Sequence, residues 1–415
     1  MRINKYLPFA LIFFFFNSLG LPLGLTYTAI LSPLFYWWVI KTRQQGILLP
    51  FFICFVPFII MHIILGVNSK AYIISFLNLV TIYIFCQAFY TFLKQCVDKE
   101  IIFRNLLVIN FILCLISIGL YFTPYYYLVW IQQFLTEGVD NFRRLKLFTY
   151  EASYYATLFT PLFFFYILKI ILKQNKLSVW LLLPCLVLPY ILSFSFGVMG
   201  AVLAAIVISY VLYFKRFSRK KRVLNILTLV AILFFFGVGM LFLFFPGNAL
   251  FTRVDNIFSG QDLSGRGRTS DAFIIANRLL DEKSHAWGIG LGQVKILGAD
   301  FIRDYYFYPL DYNVISIPNA AAETLAMLGW IGFSLRLLIE IFLFIHTRVW
   351  TNYYRLVLFV FIFIYQFTGS FITNLAEYVI WILAFTNAFP QFDVMRSVSK
   401  QANTSTTLPA IQWSY

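Results

Sequence analysis

The chain has 415 residues, of which 61% are hydrophobic and 12% are charged, about half the charged fraction of an average globular domain. Apolar runs of about 18 residues or more recur from one end to the other, which excludes a soluble globular protein and predicts transmembrane helices. In a soluble protein, the net charge of +15 would indicate nucleic acid or acidic ligands as partners. Here the positive-inside rule for membrane loops accounts for the charge, and we expect no nucleic-acid partner.

The apolar runs predict an all-α polytopic integral membrane protein with about twelve transmembrane helices of about 20 residues each. The predicted spans cover residues 7–20, 22–40, 47–66, 71–93, 105–123, 151–172, 177–195, 197–214, 223–245, 318–346, 356–371 and 377–392. No small-residue cleavage site follows the first run, so we expect that run to be retained. Residues 1–395 form a single predicted transmembrane domain, and the Ser/Thr-rich tail 396–415 is predicted to be disordered and cytoplasmic.

Basic residues in the short loops indicate the orientation. If Arg2 and Lys5 lie in the cytoplasm, the basic residues of the other short loops fall on the same side. These residues are Lys41, Arg43, Lys94, Lys99, Arg104, Lys173, Lys176, the cluster Lys215–Arg222, Arg348, Arg355, Arg396 and Lys400. The pattern predicts an even number of spans with both termini in the cytoplasm. We interpret the cluster at 215–222 as a topology signal that touches anionic membrane lipid.

Two long segments, residues 124–150 and 246–317, face outward on this topology. Both carry basic residues that the positive-inside rule does not require on that side. They include Arg143, Arg144, Lys146, Arg253, Arg266, Arg268, Arg278 and Arg303. Guanidinium groups match pairs of phosphate oxygens, so one interpretation is anion recognition. The alternative is that these residues pair with neighbouring carboxylates or with lipid phosphates.

The first group of candidate residues ends where the sixth predicted span begins. Arg143, Arg144 and Lys146 precede Thr149, which can cap the helix, and Glu151, which then falls in the first helical turn. The helix dipole favours a carboxylate there, which gives Glu151 a purely structural explanation. The alternative is that a carboxylate at the membrane surface, beside three cations, acts as a base or holds the arginines for a phosphate.

The second group is the glycine-rich run Gly265-Arg266-Gly267-Arg268. Its glycines would let backbone N–H groups approach a ligand, while the arginines supply charge. A short amphipathic helix is predicted to begin at Thr269 or Ser270. Its polar side carries Asp271, Arg278 and Glu282, of which the last two are spaced to pair on the surface.

A second glycine-rich run, 288–292, includes Gly290 and follows this helix. It lacks the preceding strand that a dinucleotide-binding fingerprint requires. His285, just before it, is the histidine of the outward segments and could serve as an acid–base group. Because no other histidine and no cysteine lies near His285, we expect no zinc site. The five cysteines lie in or beside apolar runs and predict no disulfide framework. We therefore expect neither a metal nor a cofactor.

The third group opens the tenth predicted span. Pro318 suits the first helical turn, and Asn319 and Glu323 are four residues apart and share a face. A carboxylate just inside a span is costly unless it faces a polar cavity or a partner, so Glu323 is a functional candidate. The alternative is a structural pair with an outer arginine.

Four further polar residues lie near this group in the predicted topology. Arg336 and Glu340 are four residues apart in the same span and are predicted to neutralise each other. Asn374 and Glu377 lie at another outward turn, where they are predicted to rim the same cavity as Glu323.

Three local patterns resemble the bacterial O-antigen polymerase (Wzy) and O-antigen ligase superfamily. Residues 144–156 are similar to the pattern of an arginine followed by Glu-Pro-Ser in polysaccharide polymerases, with Ala152 where proline is common. Residues 264–266 with 287–292 resemble a loop pattern of an arginine, a helix and a Gly-Ile-Gly turn. Residues 319–332 are similar to a segment of Asn, then Glu, then a Gly-x-x-Gly entry to the next span.

The resemblance implies a metal-independent glycosyltransferase on the outer face of the bacterial inner (cytoplasmic) membrane. Its substrates would be undecaprenyl-pyrophosphate-linked oligosaccharides. It would move the growing glycan from its lipid pyrophosphate to a sugar of another lipid-linked repeat unit. A chain-length regulator protein is a further possible partner.

The resemblance and the residue chemistry together suggest roles for the candidate residues. Arg266 is expected to be catalytic, stabilising the charge of the departing pyrophosphate, and Glu151 or Glu323 is expected to be the base or an orienting group. The residues expected to bind pyrophosphate or glycan are Arg143, Arg144, Arg268, Asp271, Arg278, His285, Gly290 and Asn319.

Two alternatives to a polymerase remain open at this point. Ligases of this superfamily usually carry a histidine directly before the asparagine, whereas this chain has Pro318 there, which disfavours a ligase. A transporter or flippase for lipid-linked sugars would place ionisable residues near mid-membrane and show inverted repeats. The predicted charges gather instead at the outer surface.

Overall fold

The computed structural model describes residues 5–18, 21, 25–43, 48–133, 142–175, 178–213, 256, 259, 263–306 and 315–394. Within these ranges the fold is mostly helical. Four described helices are long and apolar enough to cross a membrane by length and composition, and several others are shorter and apolar. The prediction of a membrane-embedded helical protein is confirmed at this level. The predicted span at 223–245 and the tail 396–415 lie outside the described residues.

The elements follow one another in this order. The helices of the first half are α1 Leu7–Phe14, α2 Tyr27–Ile30, α3 Ser32–Arg43, α4 Leu49–Ile64, α5 Ser69–Gln95, α6 Lys99–Tyr121, α7 Ala152–Ile171, α8 Val179–Ser193 and α9 Phe196–Leu212, with strands β1 Trp130–Gln133 and β2 Phe142–Leu145 between α6 and α7. The helices of the second half are α10 Leu263–Arg268, α11 Ser270–Leu280, α12 Val294–Leu297, α13 Ala299–Tyr306, α14 Ala320–His346, α15 Tyr353–Tyr365 and α16 Leu375–Phe385. The core forms where α15 packs on α7, α9 and α16, and where α16 also packs on α5.

α14 is not the single straight span that the sequence predicts over 318–346. Its backbone leaves the helical region at Gly329, where φ is 65° and ψ is −170°. Arg336 Nη1 lies 3.0 Å from Thr324 Oγ1 and 3.5 Å from the carbonyl oxygen of Ala320. In a straight helix the Cα atoms of residues 320 and 336 would be about 24 Å apart, too far for an arginine side chain to bridge. The helix therefore folds back on itself as two limbs, 320–328 and 330–346.

The reversal is held by a close crossing of two glycines. Gly329 and Gly288 both have positive φ, which favours glycine. A Cβ atom on Gly329 would lie 2.3 Å from the carbonyl oxygen of Ala286, and one on Gly288 would lie 2.5 Å from the Gly329 nitrogen. Backbone hydrogen bonds from Ile289 to Ala326 and from Trp330 to His285 continue the contact. The segment 285–290 is thus fixed to the turn between the limbs.

We expect Gly329→Ala to destabilise the protein by about 2 kcal/mol or more, because the new methyl group adds a backbone clash to an unfavourable φ. Gly119→Ala in α6 is the matched control, since no heavy atom lies within 4 Å of its Cβ position. The control is expected to be neutral or stabilising by up to about 1 kcal/mol. Unfolding of both variants in detergent or bicelles measures the difference, and equal stability would contradict the crossing as described.

The segment 124–150 departs from the all-α prediction. A 3-10 turn over Pro124–Leu128 leads into β1, which pairs with β2 as an antiparallel two-stranded sheet. Ile131 faces Arg144 and Gln132 faces Arg143 in this register. Because neighbouring side chains on a strand point to opposite faces, the sheet directs the two adjacent arginines in opposite directions.

The second outward segment contains the predicted amphipathic helix. α11 begins at Ser270 and buries Ala272, Ile275 and Leu279 on the side that packs on α14. The run 265–268, predicted as a glycine-rich loop, belongs instead to the short helix α10. The expectation that backbone N–H groups of a glycine-rich loop approach a ligand is therefore wrong, because this backbone is helical. The arginine side chains of the run can still contact a ligand.

Candidate functional site

Two candidate groups that are distant in sequence meet at the start of α7. Arg268 Nη2, at the end of α10, lies 3.6 Å from Glu151 Oε1. Asn319, which caps α14, donates from Nδ2 to the carbonyl oxygen of Arg268 at 2.8 Å and to that of Phe367 at 2.7 Å. The third group therefore joins the first two, and Asn319 acts by holding the backbone beside the Arg268–Glu151 pair.

Glu151 occupies the cap position of α7 but does not cap it. Its side chain makes no capping hydrogen bond, and Thr149, the predicted cap, donates to the carbonyl oxygens of Lys146 and Glu151. The Glu151 carboxylate instead accepts a hydrogen bond from Ser153 Oγ at 2.9 Å and faces Arg268. The predicted placement, with Thr149 as the cap and Glu151 in the first turn, is therefore wrong, while the role of Glu151 as the partner of an arginine fits the geometry.

Arg144 supports this carboxylate from within the protein. The Arg144 side chain is buried, with Nε donating to the carbonyl oxygen of Ser193 at 3.0 Å and Nη2 lying 3.5 Å from Ser153 Oγ. Ser153 in turn donates to Glu151. A continuous polar chain thus runs from Arg144 through Ser153 and Glu151 to Arg268. Ser153 is a residue that the residue-by-residue reasoning did not single out, although it lies in the quoted Glu-Ala-Ser pattern.

The Arg268–Glu151 pair is partly open to its surroundings. The Arg268 side chain is 28% exposed and that of Glu151 is 20% exposed. At 3.6 Å the closest atoms of the pair attract each other but are too far apart for a normal hydrogen bond. The guanidinium therefore has N–H groups to offer to an incoming anion, and the carboxylate has an oxygen that is accessible to a donor.

Arg266 pairs with a different carboxylate from Arg268. Arg266 Nε lies 3.6 Å from Asp271 Oδ2, and the Arg266 side chain is about half exposed while that of Asp271 is buried. Ser270 Oγ donates to Asp271 Oδ1 at 3.2 Å. Arg266 and Arg268 are two positions apart on a helix, where side chains do not face each other. Arg266 is thus the more exposed of the two cations, and Asp271 pairs with its Nε atom.

A second carboxylate, Glu323, lies deeper in the same region. Its side chain is buried, and Oε2 accepts a hydrogen bond from the backbone N–H of Ile372 at 2.7 Å. Burial raises the pKa of Tyr150 well above its ordinary value, and the nearby charges of Glu151 and Glu323 raise it further. Tyr150 therefore stays protonated and neutral near both carboxylates.

A largely buried polar network surrounds Arg336, on the second limb of α14. Arg336 donates to Glu340 Oε1 at 3.2 Å and to Gln366 Oε1 at 2.8 Å, and it also pairs with Glu377. The predicted pairing of Arg336 with Glu340 is confirmed. Ser370 Oγ donates to Glu377 Oε2 at 2.6 Å. The network ties both limbs of α14 to the segment between α15 and α16.

Three predicted binding residues lie outside this cluster of contacts. Arg278 lies 3.7 Å from Asp281 rather than pairing with Glu282, and His285 Nε2 lies 3.1 Å from the other Asp281 oxygen, with both side chains mostly exposed. Gly290 donates its N–H to the carbonyl oxygen of Met327, and this bond helps to hold the segment 285–290 against the turn of α14.

Arg143 also lies apart, on the opposite face of β2 from Arg144. It donates to the carbonyl oxygen of Tyr121 at 2.9 Å, and its guanidinium lies over the rings of Tyr121 and Tyr126. The expectation that the two neighbouring arginines bind one ligand together does not fit this arrangement. Arg143 has a sufficient structural role in holding the aromatic turn against the sheet.

The arrangement around Glu151 and Arg268 combines a fork of N–H donors with a carboxylate on a rigid helix start. Such a fork can stabilise negative charge on a phosphate oxygen, and the carboxylate can accept a proton from a hydroxyl group. Within the described residues, no group of three or more His, Cys, Asp or Glu side chains is placed to hold a metal ion. No protein-family model matches this chain, and no curated protein matches it.

Proposed function

We propose that the protein is a surface-polysaccharide polymerase of the O-antigen type. It would join undecaprenyl-pyrophosphate-linked oligosaccharide repeat units on the outer, periplasmic face of the bacterial inner membrane. The observation that supports this proposal most is the polar chain Arg144–Ser153–Glu151–Arg268 beside Asn319. It unites residues of two segments that carry the sequence resemblance, 144–156 and 319–332, with Arg268, which lies two residues after the third segment, 264–266.

In the proposed reaction a sugar hydroxyl of one lipid-linked unit attacks the anomeric carbon of the other glycan. A carbon–oxygen bond forms there, and the bond between that carbon and the pyrophosphate oxygen breaks, with its electron pair passing to the pyrophosphate. Arg268 offers its guanidinium to the developing negative charge. Glu151 accepts the hydroxyl proton, since it is the more exposed of the two carboxylates.

The purified protein tests this proposal directly. Reconstituted with one lipid-linked repeat unit as both donor and acceptor, it is expected to produce a ladder of lipid-linked oligomers without added metal. In cells, deletion of the gene is expected to leave single repeat units on the lipid anchor. Persistence of long glycan chains in the deletion strain would reject the proposal, and polymer that accumulates on undecaprenyl pyrophosphate would indicate a ligase.

A transporter of lipid-linked oligosaccharides is the second candidate, favoured by one specific observation. Helices interrupted inside the membrane, with charged residues beside the break, are common at transporter sites. Here α14 reverses at Gly329, and the buried Glu340 and Glu377 pair with the largely buried Arg336 beside its first limb. In vesicles, movement of a lipid-linked unit between leaflets without any oligomer would support the transporter over the polymerase.

A further inference from the structure

A large apolar cavity lies between α4, α5, the second limb of α14 and α16. Its volume is about 530 Å³. Side chains such as Phe55, Leu79, Ile339, Trp381 and Phe385 line it. An interior cavity of roughly 150 Å³ already holds a benzene molecule. A cavity of this volume, lined by apolar helices, can hold part of a lipid chain.

Among the described residues that line the cavity, no cation is free to bind a phosphate headgroup. Arg336 and Glu340 are both part of the lining. Arg336 is engaged by Glu340, Gln366 and Glu377, and it also donates to Thr324 at 3.0 Å. A phosphate in the cavity would have to displace these partners at the cost of leaving buried carboxylates unpaired. The occupant that fits is therefore a hydrocarbon chain whose polar end lies elsewhere.

The cavity borders the candidate site. Thr324 and Ile372 belong to its lining, and Glu323, next to Thr324, accepts the N–H of Ile372. Asn319, about one helical turn before Glu323, holds the carbonyl oxygen of Arg268. A lipid with its phosphates at Arg268 can therefore extend its chain past the start of α14 into the cavity.

We propose that this cavity holds the proximal part of the polyprenyl chain of the lipid-linked donor. The identity of this chain rests on the proposed function. Since surrounding lipid is as apolar as the cavity wall, the chain gains orientation more than affinity from its position. The aromatic and branched walls fix the direction in which the chain leaves the diphosphate, and this in turn aligns the anomeric carbon with the acceptor hydroxyl.

Ile339→Trp and Ile341→Trp form a matched pair for the test. Both residues lie on the second limb of α14 and both are 47% exposed, but only Ile339 lines the cavity. The probe is undecaprenyl monophosphate carrying a photoactivatable group on its chain, without any sugar, added to the protein in phosphatidylcholine nanodiscs. We expect Ile339→Trp to lower crosslinking to α4, α5 and α16 by about tenfold, while Ile341→Trp behaves as the original protein.

The outcomes separate this inference from the proposed function. Equal crosslinking in the two variants, or crosslinks confined to other helices, would overturn the cavity assignment even if the protein polymerises glycans. Retention of diacyl phospholipid in the cavity in place of the probe would overturn it as well. Specific crosslinking in a protein that makes no oligomer would keep the lipid site and reject the polymerase. If Ile339→Trp fails to fold, Leu335→Trp fills the same cavity from the same limb.

Discussion

Replacing Arg268 with alanine is expected to lower the rate of glycan transfer by about 100- to 1,000-fold, because one donor to the departing pyrophosphate is lost. The variant should still fold, since Asn319 binds the carbonyl oxygen of Arg268 and not its side chain. Arg268→Lys restores the charge without the planar fork and should recover only part of the rate. Single-turnover assays with a purified lipid-linked repeat unit measure the rates.

Arg104→Ala in α6 is the control for this experiment, because Arg104 is exposed and far in sequence from the site segments. Its transfer rate should match that of the original protein. An unchanged rate in Arg268→Ala would remove this guanidinium from the mechanism. A loss of folded protein in that variant alone would instead show a structural role.

A double variant distinguishes two roles for Glu151. If Glu151 acts as the base, Glu151→Gln and Arg268→Ala should each slow transfer, and the double variant should be slower than either. If Glu151 only holds Arg268 in place, adding Glu151→Gln to Arg268→Ala should change little. The comparison uses the same single-turnover assay, with protein stability checked for each variant.

The largest expected effect on stability follows from removing Arg336. Arg336→Met leaves Glu340 and Glu377 buried without their cation, and breaking a buried pair in this way typically costs about 3–5 kcal/mol. Unfolding in bicelles measures the loss. Adding Glu340→Gln and Glu377→Gln to Arg336→Met should recover part of it, because neutral amides no longer require a charge partner.

Arg104→Met provides the matched control, since it removes an arginine of the same size from an exposed position. It is expected to change the free energy of unfolding by less than about 0.5 kcal/mol. If Arg336→Met were as stable as this control, the three charged groups would have to be solvated, and the buried network would not stabilise the fold.

The sequence was sufficient for those features that depend on local pattern. Apolar runs of helical length predict the membrane helices, and the predicted start of an amphipathic helix at Thr269 or Ser270 is confirmed. The start of α14 was predicted less well, because the helix begins at Ala320 with Asn319 as its cap and Pro318 lies outside it. The pairing of Arg336 with Glu340 follows from their spacing of four residues. Each of these features is encoded within a few turns of the chain.

Other features could not be read from local pattern. The reversal at Gly329 is hidden because both limbs of α14 are apolar, so hydropathy continues without interruption across the turn. The sheet of β1 and β2 is too short for its alternation to stand out, and without it the opposite directions of Arg143 and Arg144 cannot be foreseen. Glu151 and Arg268 are separated in sequence by several helices, so no rule based on residue spacing predicts their contact.

The short first limb of α14 has a chemical consequence. Residues 320–328 span about 13 Å at the usual helical rise, so Asn319, at the start of the limb, lies about that far from the segment 285–290 that crosses the turn at its end. A glycan donor reacting at the partly buried Arg268–Glu151 pair beside Asn319 would meet less bulk water, which competes with sugar hydroxyls for an activated anomeric carbon. The fold would thereby favour chain growth over wasteful hydrolysis.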